Sequence, residues 1–580
     1  MFSKYYEAEL AYLRELGRAY AQVHPGTAGL LAERSGDPDV ERLLEGFAFI
    51  AARIRERTDD AVPEVIHGLA DLLLPQYLRP IPSCTIVEFL PQARALRAAV
   101  KVPRGAEVAS TPVDGTSCVF RTTQEVTLLP VTLGESLLEM PSVTNPVLKV
   151  QVNAPGPARE VLLGTGSLRF FLHGEYPLVA TLFLWLFRHC RAISVGEPNS
   201  AVPGLRLPAD SIRPVSFGPD AALFPWPRMA SEGYRSVQEY FTLPQKFLFF
   251  ELANLAQVAD AVKERFELRF EFERPPALQQ RVPRDVLRLH CTPAINLFQA
   301  DGEPIRVQAP GQERLVRASG VDATAMEVYS VDEVLALRPG QAEPEKLKPF
   351  TDFTHVGQSE VFYHLRRSLS PIDDGVDTYL ALESPRDVPP QLEEVTLSLQ
   401  LTCTHRSLPG RLRIGEVSVP TPASPTLARF TNLLPVSQPL RPPLGNELLW
   451  RVIAHLALVK RSLAEPELLA SVLGLYNFQA LGDEPVGRAN TRRIEAVRSV
   501  QVEPSRQLFQ GAIVRGQRTL VEVEESGFAG PGDLFLFGWV LDELFAANLT
   551  LNAFHSLRVR QSPSNTEYAW TPRTGSQPLA

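Results

Sequence analysis

The chain has little of what marks an enzyme or a membrane protein. Among its 580 residues there are five cysteines, an odd number, and no CxxC pair. That argues against a zinc ribbon or a thioredoxin-like site. Cys84, Cys118, Cys190, Cys291 and Cys403 stand far apart among apolar neighbours, as buried free thiols of a reducing compartment do. No GxxxxGK[ST] loop occurs, which removes ATP hydrolysis by that route, and there is no HExxH, GxSxG or SxxK. Excess positive charge is missing too: 58 Lys and Arg against 66 Asp and Glu give a formal charge of −8. A dedicated nucleic-acid binder would show a basic stripe instead. The opening MFSKYYEAEL lacks the apolar core of a secretory signal. The most apolar run, Leu178 to Phe187, is bounded by Pro177 and Arg188. It is about half the ~20 residues that span a bilayer, so it reads as a buried helix. No repeat of fixed period is present.

What is abundant is proline, 51 in all and dispersed. That pattern suits many short strands with bent connections. The start is helical. Phe2, Tyr6, Leu10, Leu13 and Tyr20 fall at helical spacing with charges between them, and His24-Pro25-Gly26 ends the run. Asp37-Pro38-Asp39 opens a second helix with a cap, a first-turn proline and acids at the positive end of the dipole. Its stripe is Val40, Leu43, Leu44, Phe47, Ile50 and Ile54. A third helix is expected from Pro63 to Pro75. These stripes serve equally for a bundle within the chain and for packing on partner helices.

After Ser83 the period changes to two. Phe266, Leu268, Phe270 and Phe272 alternate with Glu267, Arg269, Glu271 and Glu273. Val395 to Thr402, Leu148 to Val152 and Leu168 to Leu172 alternate likewise, which favours antiparallel sheets with one solvated face. Helices are expected at Leu178 to Arg188 and Ala256 to Glu264. Helical texture returns at Glu447 and again from Pro466. Strands follow over 494–525, then a last helix from Asp533 to Asn548 and a polar, exposed tail after Arg560. The fold class expected is therefore α+β and multidomain. It has a helical segment 1–83, a β-rich antiparallel middle 84–445 with a possible split near 230–255, and a mixed part 446–580.

Candidate chemistry is sparse. His173, His189 and His290 lie near Cys190 and Cys291, at spacings that match no ligand pattern. His455 sits mid-helix, as a satisfied core histidine would. Asp59-Asp60 and Asp373-Asp374 are adjacent pairs whose side chains diverge, so neither makes an acid–base dyad. Gly164-Thr165-Gly166 reads as a turn, and Gly527 to Gly532 as a loop leading into a helix. No catalytic, cofactor or metal residue is assigned. Phe247, Phe249, Phe250, Phe535, Phe537 and Trp539 form an aromatic excess suited to core or interface.

Seven blocks, in order, resemble the TssF (VasA, ImpG) family of type VI secretion baseplate proteins. They begin with the opening helices and LRPIPS (Leu78 to Ser83). GYRSVQEYFTLPQKFLFF (Gly233 to Phe250) places Glu239, Tyr240, Phe241, Pro244, Lys246 and Phe247 on the central signature. LHCTPAINLF (Leu289 to Phe298) carries Asn296, with His290 where the family has Asn. EVYSVDEV (Glu327 to Val334) also matches. LTCTHRSLP (Leu401 to Pro409) departs at His405 and Ser407. WRVIAHLAL, beginning at Trp450, and LGLYNF match paired helices, and Leu534 to Phe554 matches the last helix and strand. The motif positions Glu239, Tyr240, Phe241, Pro244, Phe247, Asn296 and Trp450 are read as structural.

The resemblance implies a role and not a reaction. It implies a fold like contractile phage-tail wedge proteins, two copies embracing one TssG, and contacts with TssE, TssK and a VgrG hub. Sheath and membrane-complex proteins would follow, with the assembly in the cytoplasm against the inner membrane. No cofactor, nucleic acid or membrane insertion is implied. Leu10, Leu13, Leu43, Leu44, Phe47, Phe535 and Trp539 are the candidate partner-packing residues. The competing classes are a hydrolytic effector on β-domains and a transient assembly chaperone or adaptor.

Overall fold

In the computed structural model, most of residues 68–574 are described, together with 6–16 and 39–52 apart from isolated positions. The longest stretches outside the description within that range are 351–360 and 384–394. Two compact units emerge, Met1–Leu78 with Pro443–Ile453, and Arg79–Pro442 with Ala454–Ala580. The expected three-part division at 83 and 445 differs from these, because residues beyond Ala454 pack into the β-rich middle.

In the first unit, the described parts of 6–16 and 42–52 are helical, as their 3.6-residue period dictates. In the second unit the chain forms β1 (Cys84–Pro91), β2 (Glu107–Val113), β3 (Thr116–Thr122), β4 (Val147–Asn153) and β5 (Leu168–Leu172). Next come helix α1 (Tyr176–Arg188), β6 (Cys190–Gly196), helix α2 (Glu232–Thr242), β7 (Phe249–Leu252), β8 (Arg265–Phe272) and β9 (Cys291–Ile295). Then follow β10 (Glu327–Leu337), β11 (Phe362–Leu369), β12 (Val376–Glu383), β13 (Thr396–Thr404) and β14 (Ala428–Asn432). Helix α3 (Asn446–Val459) crosses from the first unit to the second. The chain closes with helices α4 (Pro466–Leu475) and α5 (Pro485–Glu495), hairpin β15 (Val497–Phe509) and β16 (Ala512–Glu524), helix α6 (Pro531–Ala547), β17 (Ala553–Ser562) and β18 (Glu567–Ala569).

The fold class is α+β with a sheet-rich middle. One sheet runs β14-β1-β9-β3-β2, and another centres on β6-β8-β4. A third pairs β7 with β5, Phe250 against Phe170. The sheets built on β10-β13 and β11-β12 share one core that includes Val334, Leu380, Leu397 and Leu401. The split expected near 230–255 falls on α2 and β7, which are buried through most of their length.

Alternation is sharp where one face meets the core: Phe266, Leu268, Phe270 and Phe272 on β8 are buried. Its other face is less solvated than its charges suggest. β8 is flanked by strands on both edges, and Glu267 is buried against Arg269 Nε at 2.6 Å. Three further expectations change. Residues 255–261 form 3-10 turns interrupted at Val258. The Gly-Thr-Gly segment is the end of a helix, Pro157–Thr165, with Gly166 at φ +74 as its left-handed cap. Residues 561–574 belong to a sheet edge that buries Tyr568 and Trp570.

β16 and β17 run parallel. Parallel neighbours need a crossover, and α6 supplies it. This helix is apolar nearly all round and lies against α1, α2 and β17. Two glycines allow the approach. A Cβ on Gly532 would sit 2.1 Å from the Ala180 carbonyl carbon in α1. One on Gly233, in α2, would sit 2.7 Å from Leu544 Cα.

Candidate functional site

Two of the motif residues, Tyr240 and Phe241, join a buried polar core around α6. Asp533, in the first turn of α6, accepts hydrogen bonds from Tyr176 Oη at 2.7 Å and Tyr240 Oη at 2.6 Å. It also accepts from Arg493 Nε and the Ala529 amide, both at 3.0 Å. One carboxylate thus ties α1, α2 and α5 to α6. Burial pushes both tyrosines well above their usual range, and the neighbouring Asp533 charge adds to it. Asn490 extends the network: it accepts from Arg493 Nη1 at 2.8 Å and donates to the Phe241 carbonyl at 3.0 Å.

A second centre surrounds Glu239. Its carboxylate is fully buried and accepts from Lys246 Nζ and from the Leu223 amide at 2.6 Å. Burial lowers the Lys246 ammonium and Glu239 holds it back up. The charges of the signature therefore neutralise one another inside the protein. Phe247 packs on Phe217 at 4.9 Å, which stacks on Trp539 at 5.0 Å. Pro244 starts a 3-10 turn, and Asn296 Oδ1 accepts from the His405 amide at 2.8 Å. Trp450 is the exception among the motif positions, with 68% of its surface exposed.

His290 has φ +57, the left-handed region that Asn tolerates best among residues with a side chain. Histidine is enriched there as well. His290 Nε2 accepts from the Leu129 amide at 3.1 Å, which a neutral ring can do.

Chemistry has one further candidate, absent from the sequence reading. His555 Nε2 lies 3.0 Å from Thr519 Oγ1, and its Nδ1 lies 3.8 Å from Asp542. The order Asp, His, Thr imitates a nucleophilic triad. All three residues are sealed from solvent, and Arg573 Nε takes Asp542 Oδ2 at 2.8 Å. A cavity of about 720 Å³ is lined by Trp185, His189, Leu534 and Tyr568 and by none of the three. In it, Ser526 donates to Glu524 at 2.7 Å and Ser564 to Gln561 at 3.2 Å. Among the described residues no three His, Cys, Asp or Glu converge to hold a metal, and no helix is long and apolar enough to cross a membrane. Asp59-Asp60 and Asp373-Asp374 lie outside the described residues.

The candidate packing residues divide. Phe535 is 2% exposed and stacks on Trp570 at 5.4 Å, so it is core of its own unit. Trp539, half-buried, stands in the same aromatic cluster beside Phe183 and Phe187. Sequence patterning missed this because α6 is apolar on every side. Leu10, Leu13 and Leu44 are half-buried. Leu43 and Phe47, by contrast, are 70% and 64% exposed. Ile50 is also exposed, so positions i, i+4 and i+7 form one open apolar stripe, while Ala48 and Ala52 face inward. Full burial of such side chains stabilises by ~1.5–3 kcal/mol each.

Comparison with known proteins agrees along the whole length. The family model described as type VI secretion system, TssF, matches residues 1–577. The type VI secretion system component TssF1 of Pseudomonas aeruginosa PAO1 is 29% identical, over 99% of both chains. A chain of the TssK-TssF-TssG baseplate subcomplex, solved by cryo-electron microscopy, superposes with a TM-score of 0.79 at 29% identity. It covers 93% of this chain and 99% of that one. A chain of a type VI secretion baseplate complex superposes with a TM-score of 0.64 at 27% identity, over 100% of both.

Proposed function

The chain belongs to the TssF family of type VI secretion systems, and from that premise we propose that it is a structural wedge subunit of the baseplate and not an enzyme. The observation that carries this reading is the likeness, along nearly the whole chain, to a chain of the TssK-TssF-TssG subcomplex. TssG and TssK are its direct partners, and two copies of this chain hold one TssG. TssE joins the wedge, and wedges assemble around the VgrG hub in the cytoplasm, facing the inner-membrane complex, to start tube and sheath growth. The open stripe of Leu43, Phe47 and Ile50 supports helix packing with TssG. Obligate interfaces of this kind bury roughly 2,000–5,000 Å² and are rich in apolar surface. The inward-turned charges of Glu239, Lys246 and Asp533 support a scaffold, since they hold helices and face no substrate.

Co-expression with cognate TssG and TssK, read by native mass spectrometry, tests this. The expected product holds two copies of this chain per TssG, with TssK bound. A chain that stays monomeric beside TssG sinks the wedge reading. Turnover by the purified chain, lost in His555→Gln, would favour the hydrolytic reading instead.

A further inference from the structure

β15 and β16 outrun the sheet that supports them. Their pairing runs from Val497↔Val523 to Phe509↔Ala512. Among the described residues, β17 joins β16 from Arg515 to Glu524. The last pairs of the hairpin, from Ala512 to Val514 on β16, thus meet no third strand among the described residues. Isolated two-stranded hairpins are marginal in water, and open edges invite pairing.

The tip carries a definite chemistry. Residues two apart share a face, so Arg506 and Leu508 share one with their cross-strand partners Arg515 and Ile513. Leu508 is 69% exposed and Ile513 73%, beside two exposed guanidinium groups. Nearer the base, Glu503 stands opposite Arg518, an attractive arrangement. At the tip the opposite is true: Arg506 faces Arg515, and like charges across a strand pair are destabilising. Neither arginine meets a carboxylate among the described residues. The cost of this pair is removed by carboxylates supplied from outside, and arginine is well suited to take them in bidentate fashion.

Building on the baseplate reading, we propose that the β15–β16 tip docks an acidic segment of another subunit of the same assembly. Carboxylates of that segment pair with Arg506 and Arg515, and an apolar residue of it covers Leu508 and Ile513. Arginine beside apolar side chains is the composition of interface centres. A membrane surface fits less well, since recognition of anionic lipid takes clusters of 4–8 basic residues. Nucleic acid fits less well too, for the chain is net acidic and the described tip face offers no ring for a base to stack on.

The test uses the full chain assembled with cognate TssG and TssK, with a photo-crosslinking amino acid in place of Leu508. The expected product is a crosslink to a peptide of another subunit that carries Asp or Glu beside an apolar residue. Its yield should fall about tenfold in the Arg506→Glu, Arg515→Glu double variant and persist in the Lys, Lys variant. It should also decline as salt rises from about 0.05 M to 0.5 M. Thermal unfolding of the double variant should match the parent, since the tip lies outside the core. Crosslinks only within the chain, to lipid, or to peptides without carboxylates overturn the proposal, as does an unchanged yield after charge reversal. If the parent chain fails to assemble with TssG and TssK at all, the baseplate reading falls, and this docking with it.

Discussion

Asp533 gathers donors from four directions, and its worth is measurable. Removing its charge leaves Arg493 buried beside an amide. Breaking one side of a buried ion pair costs ~3–5 kcal/mol. Asp533→Asn is therefore expected to lower the unfolding free energy by about 3 kcal/mol in chemical denaturation of the full chain; an unmoved midpoint would show that the bonds contribute nothing. A second residue-scale outcome concerns protons. Burial lowers His290, His405, His455 and His555 to about 4, from an ordinary value near 6.5. The unfolded chain then binds more protons between these values, so the stability these groups contribute is present above about pH 6.5 and lost as pH falls toward 4. Glu327 and Asp542 act the other way. Burial raises each to about 7, so they favour the folded state as pH falls through the same window. Four histidines outweigh two acids, and denaturation midpoints at pH 7 and pH 5 should show net loss on acidification. A rise would contradict the burial of the histidines. Glu239, Tyr240 and Phe247 were legible because they stand together in one block. Asp533 was not, since an acid in the first turn of a helix reads as a dipole-stabilising residue until its tertiary partners are seen.

Elements with one wet face and one dry face announced themselves. β8, β13 and α1 lie where period and apolar length put them, give or take a residue or two. Helix α5 did not announce itself, because PVGRANTRRIE has no apolar stripe: its buried face is Gly487, Asn490, Arg493 and Ile494, held by hydrogen bonds. β18 was hidden for a related reason. The polar stretch after Arg560, with Pro563 and Pro572, reads as a tail, and only pairing with β17 makes it part of a sheet. The helix over 42–52 was legible as amphipathic, but periodicity could not say whether its stripe is covered. Leu43 and Phe47 stand exposed in the isolated chain. Leu43→Asp with Phe47→Asp should leave the thermal unfolding of the isolated chain nearly unchanged, within ~0.5 kcal/mol, as exposed substitutions do. The same pair should abolish co-purification with TssG. Retained assembly would mean the stripe serves some other contact.

At the scale of the whole chain, the sequence blocks ran in family order from end to end, while the units that pack together are not contiguous. Residues 443–453 associate with 1–78, and residues from Ala454 onward complete the unit begun at Arg79. Linear reading places borders where texture changes. Packing places them where apolar faces are closed, and α6 closes faces made far upstream. That has a consequence for biosynthesis. Tyr176 and Asp533, joined by a 2.7 Å hydrogen bond, are 357 positions apart in the chain. At translation rates of roughly 5–20 residues per second, tens of seconds separate the appearance of α1 from that of α6. Through that interval the part of α1 that packs on α6 has no native cover, and a ribosome that stalls before residue 531 releases a nascent chain with that part bare. The last helix sets the moment at which the molecule ceases to be a client for chaperones.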